Sequence, residues 1–183
     1  MALREIRLIV GARPINQAIV FGYPAYRDEF YIVPTYNMGV TGKYDDGTPC
    51  YKQFEVIRFG VHHELNADPY VVGLQDEQTY VIQGWMKYEL HSTDLGENGA
   101  WIVKGSFLVH DGPDDPMLQI FGSKGCIEVC GWQGFSRLND LIIRLSGAKA
   151  ASREEKLKQI GSGRRMKITY KGTSRPLLKR YKP

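Results

Sequence analysis

The chain has 183 residues, 43% of them apolar and 24% charged, which is enough for one sizeable core and excludes a disordered chain. Its formal charge of +4 conceals a split: residues 1–150 carry 13 Lys and Arg against 18 Asp and Glu, whereas residues 151–183 carry 11 against 2. Basic character confined to a tail reads first as a solvated terminal segment rather than as a nucleic-acid surface.

No stretch approaches the length of a membrane span. The first apolar run, Leu8-Ile9-Val10, is too short for a signal-peptide core. The expectation is synthesis in the cytoplasm without a signal peptide, with export by another machine if the protein works outside. Cys50, Cys126 and Cys130 do not make a disulfide framework. On one extended strand Cys126 and Cys130 would lie about 13 Å apart, beyond bonding reach, while a Cys50–Cys130 bridge stays open.

Eleven tyrosines, seven phenylalanines and three tryptophans favour β structure. Leu3 to Val10 alternates and predicts a strand, ended by Gly11-Ala12-Arg13-Pro14. Gln17 to Tyr23 and Glu29 to Val33 predict a hairpin. Tyr36 to Cys50, rich in Gly and Asp, reads as a loop; it lacks the spacing of a phosphate loop. Gln53 to Val61 predicts a strand followed by His62-His63-Glu64. Adjacent strand histidines face opposite ways and do not chelate one metal, so they read as strand-end residues and no metal is expected. Tyr70 to Leu74, Thr79 to Met86 and Ala100 to His110 supply further strands, with a turn at residues 94–99.

Leu118 to Phe121 leads into Gly122-Ser123-Lys124-Gly125-Cys126. Beyond it, Ile127 and Val129 should face the core while Cys126, Glu128 and Cys130 face away. Leu138, Leu141, Ile142 and Leu145 have helical spacing, with Ser136 a candidate N-cap and Gly147 the stop. Ser152 with Glu155 forms a capping box for a second helix that stops near Gly161-Ser162-Gly163, and Met166 to Tyr170 predicts a last strand. Two parts follow: residues 1–150 as the main domain, and residues 151–183 as a basic helix and tail packed on or appended to it.

The candidate chemistry lies in His110 and Cys126, sixteen positions apart. Thiolate and imidazole are the minimum apparatus for covalent acyl transfer. Cys126 follows a polar, flexible Ser123-Lys124-Gly125 approach, and Lys124 could favour the thiolate. Ser123 reads as a loop-shaping residue whose hydroxyl, like the backbone N–H groups at Gly125 and Cys126, is a candidate oxyanion donor. Asp111 either orients His110 or caps the loop, with the loop role preferred. Trp101, Trp132 and Tyr80 read as core or cleft wall.

Thr41-Gly42-Lys43, Thr48-Pro49 and Phe54-Glu55-Val56, then His110 and Ser123-Lys124-Gly125-Cys126-Ile127, resemble the L,D-transpeptidase catalytic domain, whose signature is H…[ST]-H-G-C-h. The resemblance spans residues 36–146. It implies a mainly β fold, an L,D-transpeptidase-like β-sandwich or barrel with one or two C-terminal helices. It implies attack by Cys126 on peptidoglycan stem peptides, at the bond joining an L-centre to a D-amino acid, with His110 as general base and no cofactor. The thioester would pass to an amine (transpeptidation) or to water (L,D-carboxypeptidation). Lys124 stands where the family usually has His, Asp111 where it has Gly, and Glu128 where Arg or Asn is frequent. Lys124 and Glu128 thus fall at substrate-handling positions, and Glu128 cannot steady a substrate carboxylate. These departures resemble toxins delivered by type VI secretion, which implies action in the periplasm and an immunity protein and secretion machinery as partners. The readings from other classes are a non-catalytic wall-binding module and a nucleic-acid binder using the tail.

Overall fold

A computed structural model describes residues 2–88 and 97–183. It is mainly β, with eleven strands and two C-terminal helices among the described residues. Two long strands, β1 (Ile6–Pro24) and β2 (Tyr26–Lys43), form an antiparallel ribbon, and β3 (Pro49–Ile57) continues it antiparallel. β4 (Gly60–His63) lies parallel to the far end of β1 and pairs with β5 (Tyr70–Val72). After β6 (Gln78–Val81) and β7 (Gly84–Met86) comes a hairpin of β8 (Ala100–Lys104) and β9 (Phe107–Asp111). β10 (Ile127–Val129) inserts between β9, to which it is parallel, and β3. Helices α1 (Gly134–Ser146) and α2 (Arg153–Gly163) follow. The last strand, β11 (Met166–Tyr170), returns to pair parallel with β1 and antiparallel with β6.

The sheet curls on itself. Ile82 donates its N–H to Met166 of β11, and Gln83 donates to Ile102 of β8. The ladder therefore runs from β1 through β2, β3, β10, β9 and β8 and back through residues 82–83 to β11. The main core lies inside it, with Leu8, Met38, Val56, Trp101, Ile127 and Ile168 among its residues. The apolar stripe of α1 (Phe135, Leu138, Leu141, Ile142, Leu145) joins that core. Each such side chain stabilises by about 1.5–3 kcal/mol on burial.

Several expectations are corrected. Tyr36 to Cys50 is strand except for the tight turn at residues 44–48. Its glycines mark close packing rather than looping: a Cβ on Gly39 would lie 3.0 Å from the Tyr51 ring, and one on Gly42 3.2 Å from Leu145. The Gly11–Pro14 stretch shifts the β1–β2 register without ending β1. Beyond that shift the ribbon carries a second, smaller core of Ala18, Val20, Tyr31 and Val33 with Ile57, Val61 and Cys130. Ala100 to His110 is a hairpin rather than one strand. Ser136 is not the N-cap; α1 starts at Gly134, behind a left-handed Gln133, because the turn from Gly131 to Gly134 already aims the chain into the helix. Trp132, in that turn, is 63% exposed rather than core or cleft wall. All three cysteines are free, Cys50 in the main core and Cys130 in the smaller one.

The capping box of Ser152 and Glu155 is present, and Gly147 caps α1 in the left-handed region. The tail is not merely solvated. Lys171 bonds to Val10 and Thr173 to Gln75, and residues 179–181 pair with Phe30 and Ile32 of β2. Among the described residues no helix is long and apolar enough to cross a membrane.

Candidate active site

The parallel pairing of β9 with β10 sets the geometry. Ile127 lies opposite Val109, Glu128 opposite His110 and Val129 opposite Asp111. Side chains alternate across the sheet, so Val109, Ile127 and Val129 enter the core while His110, Cys126 and Glu128 share the outer face. Cys126 and His110 are therefore diagonal neighbours, and Glu128 is the residue directly beside His110.

The Ser123–Gly125 approach is held by backbone contact. A Cβ on Gly60 would sit 2.0 Å from the Ser123 carbonyl oxygen. Gly125, at φ +89, would place a Cβ 2.5 Å from the Gly73 Cα. Glycine is required at both places, and the contact wedges the loop between β4 and the end of β5, where it delivers Cys126 to the start of β10. The Ser123 hydroxyl accepts the Gly125 N–H at 3.2 Å, so it shapes the loop. Lys124 is exposed, and its ammonium lies 5.8 Å from the centre of the Tyr23 ring. The structure thus engages Lys124 with an aromatic face rather than with the thiol.

His110 is 2% exposed, and its Nδ1 donates to the backbone carbonyl of Asp111 at 2.7 Å. A carbonyl can only accept, so the neutral ring keeps its lone pair on Nε2. Burial holds the imidazole down at about 4, against the partial support of the Asp111 carbonyl. It is neutral at physiological pH, and burial makes it a weak base there. Cys126, 7% exposed, donates its thiol to the Ser106 carbonyl at 3.5 Å. Burial pushes that thiol up to about 11; the Leu108 backbone opposes the shift and the Glu128 carboxylate adds to it. The resting thiol is therefore protonated. Glu128 is 2% exposed, and burial followed by repulsion from Asp111 pushes it up to about 8.

No protein-family model, curated protein or solved structure matches this chain. Among the described residues no group of His, Cys, Asp and Glu suits a metal ion. His62 and His63 end β4 and make separate contacts: His62 with Glu64 and Tyr70, His63 with Tyr26 and Tyr31. His91 and the first half of the predicted 94–99 turn lie outside the described residues.

Two members of the site escape a reading of the sequence. Tyr88 packs its ring 5.5 Å from that of His110 and is half-buried. Ser106, in the turn between β8 and β9, supplies the acceptor for the thiol. Neither sits near the Gly-Cys motif in sequence, and only the hairpin brings Ser106 to it. Arg58 is a buried charge near the site. It is fully buried, with its guanidinium bonded to the carbonyls of Gly11 and Leu74 and set against the rings of Tyr36, Phe59 and Tyr170.

Proposed function

We propose that this chain is a cysteine-dependent acyl transferase of the L,D-transpeptidase type, acting on peptidoglycan stem peptides in the periplasm. The observation that carries the proposal is the placement of His110 on β9 and of Cys126 immediately before the parallel β10, with the imidazole oriented by a backbone carbonyl so that Nε2 holds the lone pair. In the proposed reaction Nε2 takes the thiol proton as Sγ attacks the scissile carbonyl. The C–N bond breaks, the departing amine receives that proton, and a thioester remains. An incoming amine or water then attacks the thioester; His110 takes its proton and returns it to the leaving sulfur. The substrate assignment rests on the resemblance of residues 36–146 and not on the geometry. Delivery as a type VI secretion toxin, with an immunity protein as partner, is part of the same proposal.

A second reading, a non-catalytic wall-binding module, is favoured by the burial of Cys126 and its raised thiol. One experiment separates the two. Purified sacculi are incubated with wild type and with Cys126→Ala, digested, and analysed by mass spectrometry. New cross-links or shortened stems with wild type alone support acyl transfer. Sacculus binding by both proteins with no change in the stems supports the binding module and overturns the enzyme.

A further inference from the structure

Glu128 is the central residue of β10, 2% exposed, and among the described residues its Oε2 has no hydrogen-bond partner. It shares the outer face with Cys126, two positions before it, and with His110 across the ladder. Buried polar atoms are almost always paired, so an orphan oxygen inside a reactive face points to a group that arrives. Burial keeps this carboxyl protonated below about pH 8; once ionised it only accepts, so a group that arrives beside the ionised form must be a donor. Nearby side-chain cations are engaged elsewhere: Lys124 over Tyr23, and Arg58 with Gly11 and Leu74. The other ionisable groups that act on this carboxyl, or on which it acts, are Asp111, Cys126, Cys130 and Tyr88, none of them a cation.

We infer that Glu128, in its ionised form, makes the Cys126 site selective for a substrate that brings a cationic amine, rather than a free carboxylate, beside the acyl group under attack. The inference rests on the acyl-transfer reading for its substrate, but the charge selectivity belongs to the Cys126 and Glu128 face itself. In a dry site an ammonium gains strongly from a carboxylate and a second carboxylate is repelled. An ammonium on Glu128 also cancels the field that helps keep the neighbouring thiol protonated, so the favoured substrate assists in activating its own nucleophile.

The test uses three methanethiosulfonate reagents on the intact protein at pH 9: one bearing a trimethylammonium, one a sulfonate and one only a methyl group. In each the thiolate of Cys126 displaces methanesulfinate and forms a mixed disulfide, followed by mass spectrometry of the Cys126 peptide. Rates are divided by those of the same reagent with a small neutral thiol. The normalised cation-to-anion ratio should be about tenfold or more in wild type and fall to within about threefold of unity in Glu128→Gln. Should that variant fail to fold by circular dichroism, wild type at pH 6 replaces it, because Glu128 is protonated there and the ratio should collapse in the same way. Equal normalised rates in wild type at pH 9, or a preference unchanged by either manipulation, overturn the inference. So does a Cys126 that no reagent labels, because the site is then closed to ligands. Charge preference without any change to sacculi overturns acyl transfer and leaves the site's selectivity standing; turnover without charge preference does the reverse.

Discussion

On β9 and β10, Val109, Ile127 and Val129 point inward while His110, Cys126 and Glu128 point outward, and the two sets are almost equally buried: 0% exposed for the first, 2% to 7% for the second. The inward set removes apolar surface from water and stabilises the fold. The outward set is dry at a cost, because burial opposes the charged forms of His110, Glu128 and Cys126 alike. A ladder this short therefore combines a face whose burial stabilises the fold with a face whose burial works against it, and the first offsets the second.

The sharpest way to break this contrast is His110→Gln. If the outer face is reactive, stem-peptide turnover should drop by about 10²–10⁴-fold, while His62→Gln stays within a few-fold of wild type by the same mass-spectrometric assay. A His110→Gln protein as active as wild type would leave the outer face without a base.

Substitution across the ladder gives the next largest effect. Ile127→Ala should cost about 2–4 kcal/mol in urea unfolding, from lost transfer free energy and the cavity left behind. Its neighbour Cys126→Ala should cost about 1 kcal/mol. Equal costs would mean that the two faces do not differ energetically.

The pH dependence of stability separates the faces further. Glu128 lies at about 8 in the fold against 4.5 ordinarily, so the folded chain retains a proton that the unfolded chain releases. Stability then falls as pH rises through that window, by up to about 1.4 kcal/mol per pH unit. His110, moved from 6.5 down to about 4, has the opposite slope, and stability rises between those values. The two oppose each other below pH 6.5, and above it Glu128 acts alone until about 8. Wild type should lose stability between pH 6.5 and 8, and Glu128→Gln should be flat there. Parallel curves from urea titrations at the two pH values would exclude an ionising Glu128.

The smallest effect is expected at Lys124. Its contact with Tyr23 is a partly solvated cation–π pair of about 0.5–1 kcal/mol. Lys124→Ala should leave the alkylation rate of Cys126 within about threefold of wild type. A larger drop would return the lysine to the thiol's electrostatics.

The alternation of Ile127 and Val129 against Cys126, Glu128 and Cys130 was legible because a period of two is the strongest short-range signal a strand carries. The spacing of Leu138 to Leu145 and the capping box at Ser152 were legible for the same kind of local reason. The stretch from Tyr36 to Cys50 was not, since Gly39 and Gly42 serve partners distant in sequence, Leu145 among them, and no local pattern announces those partners. At the site, the motif singles out His110 and Cys126, and the β9–β10 register sets them near one another while their own hydrogen bonds go to Asp111 and Ser106. The lateral position of Glu128 beside His110 depended on the β9–β10 register, and Tyr88 reaches the imidazole from a segment with no motif of its own. The fate of Lys124 turned on Tyr23, a residue of β1 a hundred positions earlier.

The pairing of residues 179–181 with β2 has a further consequence for how the molecule behaves in a crowd. β3 covers β2 only from Thr35 onward, so at Phe30–Ile32 the chain's own last residues occupy the side that β1 leaves open. An uncovered edge strand is a template for any other chain in extended form. Arg180, 3.8 Å from Glu29, adds a charge at the same place, and charges discourage edge-to-edge pairing. Deleting residues 179–183 should therefore shift sedimentation velocity profiles toward dimers and larger species while the interior remains intact. The basic tail would then count as a guard against self-association.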